Sequence, residues 1–66
     1  MDWKQIEGNW THFKGLVKGR WSKLDPAQLD AIAGRRDRLL AGIEEEYGIT
    51  RGESEGQLEA WQDAQG

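Results

Sequence analysis

Cysteine is absent from this 66-residue chain. That single absence removes disulfides, thiolate nucleophiles and thiolate metal ligands together, and it fits a reducing compartment. Histidine is nearly absent as well. His12 stands alone, beside an apolar stripe and with no partner motif, so it reads as a partly exposed helix residue rather than a base or ligand. No apolar stretch is long enough to cross a bilayer, and the opening MDWKQIEGNW has no apolar run of signal-peptide length. No segment alternates as a strand does. There is no phosphate-binding glycine loop, zinc spacing or calcium loop. From these absences we expect a soluble cytoplasmic protein that is not an enzyme. We expect no catalytic residue, no metal, no cofactor and no evident small-molecule substrate.

What is present is polar. Apolar residues make up 36% and mean hydropathy is −0.86, so the core of one small domain over residues 1–66 must be modest. Four tryptophans, one phenylalanine and one tyrosine compensate, because each ring buries a large area.

Residues 25–48, DPAQLDAIAGRRDRLLAGIEEEYG, organise the rest. Asp25, Pro26 and Gln28 form a helix start with a capping box, and Gly48 suits a left-handed stop. Leu29, Ile32, Leu39, Ile43 and Tyr47 recur at helical spacing. Arg36 falls on that stripe just after Gly34, which implies a turn at the glycine and two helices. Before this stretch, Trp3, Ile6, Trp10, Phe13, Val17 and Leu24 lie along one stripe, widened by Leu16 and Trp21. Asp2 with Gln5 suggests a second capping box. Gly8 followed by Asn9 suggests a break, whereas Gly15 and Gly19 suggest close helix packing. After it, Thr50 and Glu53 make a third box, Leu58 and Trp61 share a face with Ser54, and Gln62 to Gly66 should fray.

At an offset of 26 residues Trp3 aligns with Leu29, Ile6 with Ile32, Gly8 with Gly34, Phe13 with Leu39, Val17 with Ile43 and Trp21 with Tyr47. This is an internal repeat of short helix, glycine turn and longer helix. The expected fold is all-α: a small bundle of four or five short helices, built as two crossed helical hairpins with an approximate two-fold repeat. Helices are expected near 3–7, 10–22, 26–33, 35–47 and 51–62. The expected core is Trp10, Phe13, Val17, Ile32, Leu39, Ile43, Tyr47 and Trp61.

Charge is divided unevenly. Residues 1–24 carry five basic groups against two acids, a net of +3, and residues 25–66 carry four arginines against ten acids, a net of −6. Glu44, Glu45 and Glu46 point in three directions on a helix and read as a solvated face. If the chain turns at Gly34, Arg35, Arg36 and Arg38 form a positive ridge at a helix start, a candidate contact for DNA, RNA or another polyanion. The competing expectation is that the ridge pairs with neighbouring acids and recognises nothing. A third reading places the tryptophans and the basic helix at a membrane interface or on unfolded clients.

Three runs carry a family resemblance: DWKQIEGNWTHFKGLVKGRWSKL, LDAIAGRRDRLLAGIEEEYGI and EGQLEAWQ. Their most specific parts are Ile6 to Trp10, Phe13 to Gly15, Ile32 to Asp37 and Tyr47 to Ile49. Over nearly its whole length the chain resembles the CsbD-like family of small bacterial stress-response proteins. Leu16 stands where the familiar pattern has a lysine, and Glu44 and Glu45 where it has lysine and glutamine, so the middle helix is more acidic here. The resemblance implies a bundle of short helices and a role in general stress. It implies no catalytic residue and names no partner. A monomer acting through its surface is the expectation it leaves.

Overall fold

A computed structural model describes residues 2–65. Among them are five helices: α1 (Trp3–Gly8), α2 (Trp10–Arg20), α3 (Pro26–Ile32), α4 (Arg36–Tyr47) and α5 (Arg51–Ala64). No strand occurs among the described residues. The order, type and number of helices agree with the sequence reading. α2 stops at Arg20, because Trp21 leaves the helix with φ −121 and ψ 78 and turns its ring fully inward. α5 runs to Ala64, two residues beyond the expected end, and Gly66 lies outside the described residues.

The caps decide where the helices begin. Asp25 and Gln28 form both halves of the capping box at α3. At α5 the Thr50 hydroxyl oxygen accepts from the Glu53 N–H, which is half of a box. The expected box at α1 does not form, since Asp2 makes no side-chain cap bond. Asn9 makes none either, and its amide Nδ2 donates back to the Gln5 carbonyl at 3.4 Å.

Both expected turns exist, but they differ in construction. In the first pair, Gly8 is the last residue of α1, and the chain bends at Asn9 with φ −115 and ψ 37. In the second, Ala33 and Gly34 both take the left-handed region, with φ 53 and φ 81. Gly34 is required there for a second reason. A Cβ on it would lie 3.0 Å from the Glu7 Cα, so its bare backbone is what lets α1 close onto the α3–α4 turn. Trp3 fastens the same contact by donating its indole N–H to the Gly34 carbonyl at 2.8 Å. The sequence alignment of Gly8 with Gly34 therefore marks two turns without marking one conformation. The repeat itself is real in the framework. α2 and α4 begin 26 residues apart, and the pairs Ile6 and Ile32, Phe13 and Leu39, Val17 and Ile43 are buried in both copies.

The core comprises Ile6, Phe13, Val17, Trp21, Leu24, Leu29, Ile32, Leu39, Leu40, Ile43, Leu58 and Trp61. Trp10 and Tyr47, expected inside, are only partly buried and pack on its margin. The indole of Trp10 has a polar duty that holds it at the edge, donating to the Leu29 carbonyl at 2.9 Å. Tyr47 is held likewise, its hydroxyl oxygen accepting from the Lys23 N–H at 3.2 Å while the Lys23 ammonium lies over its ring. Leu40, outside the expected stripe, is buried because α4 packs against both α3 and α5. Trp61 closes the bundle, its ring meeting those of Trp3, Phe13 and Trp21 at centroid distances of 6.5, 6.1 and 6.0 Å.

Candidate functional site

Two surface features stand apart from the framework. The first is the arginine ridge. The left-handed pair Ala33 and Gly34 turns the chain so that Arg35 becomes the N-cap of α4, Arg36 its first residue and Arg38 its third. Arg35 and Arg38 are exposed, and Arg36 is half-buried rather than free at the surface. Arg38 donates to the Ala31 carbonyl at 3.2 Å, stitching the end of α3 to the start of α4. Among the described residues no arginine of the ridge pairs with an acid. The two ion pairs there join Lys14 to Asp30 and Arg51 to Glu44. The structural expectation that the ridge is neutralised by neighbouring carboxylates is thus not met. Arg35 also leaves the first turn of α4 without a side-chain cap, so that turn is positive in both charge and dipole, offset by Asp37 beside it.

The glutamates expected on a solvated face are mostly at work instead. Glu44 accepts the hydroxyl of fully buried Ser54 at 2.8 Å and pairs with the Arg51 guanidinium, clamping α4 to α5. Glu46 accepts from the Gln28 amide at 3.3 Å, joining α4 to α3. Only Glu45 is simply exposed. A sequence cannot show this, because partners 10 and 18 residues away are chosen by helix packing.

The second feature is a shallow groove of about 170 Å³ between α2 and the start of α3, lined by Lys14, Gly15, Lys18, Pro26 and Leu29. Lys14 pairs with Asp30 at 2.8 Å on the exposed side. The Lys18 ammonium donates to the carbonyls of Ser22 and Leu24, both at 2.7 Å, and so ties down the α2–α3 connection. Gly15 and Gly19, expected to allow close packing, do not serve it. A Cβ at either would meet nothing within 4 Å. The glycine of α4 that does admit a neighbour is Gly42, where a Cβ would lie 3.4 Å from a methyl of Leu24. His12 lies exposed, edge-on to Phe13. Among the described residues no three His, Asp or Glu side chains converge, and no helix is long and apolar enough to cross a membrane.

Two helix–turn–helix pairs closed by a fifth helix, with polar side chains given over to caps and clamps, define a small all-helical surface-bearing protein. The chain belongs to the UPF0337 family, the CsbD-like proteins. It is 44% identical over 61 residues to a UPF0337 protein of Rhodopseudomonas palustris, covering 92% of each chain. It is 40% identical over 63 residues to one of Pectobacterium atrosepticum, covering 96% of this chain and 91% of the relative. It is 37% identical over 62 residues to YjbJ of Escherichia coli K12, covering 94% and 90%. These names mark a family without an assigned activity. No family model and no solved structure matches the chain.

Proposed function

We propose that this chain is a non-enzymatic bacterial stress-response protein that acts in the cytoplasm through contacts of its folded surface. The observation that supports this most is where its polar groups go. Asp25, Gln28, Glu44, Glu46, Ser54 and Arg51 are engaged in helix caps and interhelical clamps. They maintain a shape rather than surround a reacting atom. The stress role follows from the family resemblance. The test is survival of an Escherichia coli strain lacking its YjbJ relative, under osmotic shock and in stationary phase. We expect a deficit that the intact chain rescues and a Phe13→Ala chain does not, since the latter loses the core. Equal survival of the deleted and parental strains would refute the stress role.

One observation favours a second reading, in which the surface contact is a polyanion held by Arg35, Arg36 and Arg38. Their charges have no carboxylate partner among the described residues. The triple substitution to glutamine keeps length and helix propensity while removing charge. DNA and RNA binding are then measured across a salt series. If the ridge carries the contact, the variant binds more weakly with a flatter salt slope, because each lost phosphate contact lowers that slope by about one unit. An unchanged slope places the contact elsewhere, and no wild-type binding at low salt removes this reading.

A further inference from the structure

Gly15 has no role in holding this fold together. It lies inside α2, where alanine would support the helix better, and a Cβ there would touch nothing within 4 Å. What Gly15 does is line the groove between α2 and α3, with Lys14 and Lys18 on one side and Pro26 and Leu29 on the other. The lining is almost wholly apolar. Both charged residues of the lining are lysines, and only one is neutralised. Lys14 is balanced by Asp30, but both acceptors of Lys18 are neutral carbonyls, so its positive charge has no carboxylate partner and one of its three donors is unused. On a chain of net charge −3 this is a local inversion of sign, next to an apolar floor.

We propose that this groove binds an aliphatic carboxylate as a free monomer. The alkyl chain lies over Gly15, Pro26 and Leu29. The carboxylate accepts from the third N–H of Lys18 in a charge-assisted hydrogen bond. The lysine, a compact point charge, asks for no paired-fork geometry, so a single-headed anion suffices. The site is separate from the arginine ridge and stands whether or not the ridge binds a polyanion.

The experiment is an amide NMR titration of the full chain with octanoate below its micelle-forming concentration, alongside octanol and octylammonium. Expected are shifts confined to Gly15, Lys18, Leu29 and their neighbours. Octanoate should bind about three- to tenfold more tightly than octanol, with octylammonium weakest. Gly15→Leu puts a bulky side chain at the groove from a position where a Cβ meets nothing within 4 Å, so it should keep its helicity and lose the octanoate shifts. Gly15→Ala gives a milder block should the larger side chain unfold the chain. Lys18→Gln should remove the advantage of octanoate over octanol. Equal affinity for all three head groups would overturn the proposal as unspecific adsorption. So would octanoate binding undiminished in both Gly15 variants, shifts spread through the aromatic core, or binding seen only on anionic vesicles.

Discussion

Ala33 is the residue at which the chain is most at odds with its own chemistry. It holds φ 53, a conformation that costs an L-residue about 1–2 kcal/mol and glycine nothing. Glycine is also more flexible when unfolded, which offsets part of that gain. Ala33→Gly should therefore stabilise the protein by up to about 1 kcal/mol in a urea melt. One residue on, the expectation reverses. Gly34→Ala adds a Cβ 3.0 Å from the Glu7 Cα at φ 81, so it should cost about 2 kcal/mol or more and loosen α1 first. Phe13, 5% exposed and edge-on to Trp61, should cost about 3 kcal/mol or more on truncation to alanine, enough to leave little folded protein in a domain this small. A thermal melt of Phe13→Ala matching wild type would remove Phe13 from the core.

Among the elements, α5 is the longest and still depends on docking. Gly52 and Gly56 weaken it, and a free helix of 14 residues is marginal in water. Four contacts hold it: Leu58 buried, the Glu44 clamp on Ser54 and Arg51, the Gln57 amide oxygen accepting from the Trp21 indole, and Trp61 among three aromatic rings. Trp61→Ala should release it, and backbone chemical shifts over 51–64 should move to coil values while those of α3 and α4 stay helical. Helix positions were legible in the chain because caps and stripes are local signals. Asp25 with Gln28 and Thr50 with Glu53 mark starts that the structure keeps. What lay beyond reading was set by neighbours. Leu40 is buried because α4 is flanked on two sides, and Trp21 turns inward onto Trp61 and Gln57, the latter accepting its indole N–H at 3.0 Å. The same limit applies to the surface. The arginines of the ridge could be seen in the sequence, but their lack of acid partners could not. The groove could not be seen at all, since it exists only where two helices meet.

For the molecule as a whole, the uneven charge of the two halves suggests an electrostatic bond between them, and the structure gives that bond little to work with. Of the two ion pairs among the described residues only Lys14 with Asp30 joins the halves; both pairs are partly exposed, and such pairs contribute about 0–1 kcal/mol each. Apolar burial and indole hydrogen bonds carry the assembly. Raising salt from low to molar concentration should therefore move the melting midpoint by no more than about 5 °C. A collapse of stability in salt would mean that the charge halves, and not the aromatic core, hold the hairpins together.

The placement of the tryptophans has a use for anyone watching this protein unfold. Trp3 reports on the turn between α3 and α4, Trp10 on the meeting of α2 and α3, and Trp21 on α5 through Gln57. Each indole proton is bonded to a different part of the chain. The three indole proton signals, followed by hydrogen exchange, would time the opening of three junctions in the native sequence. If α5 is the least secure element, the proton of Trp21 exchanges first and that of Trp10 outlasts it.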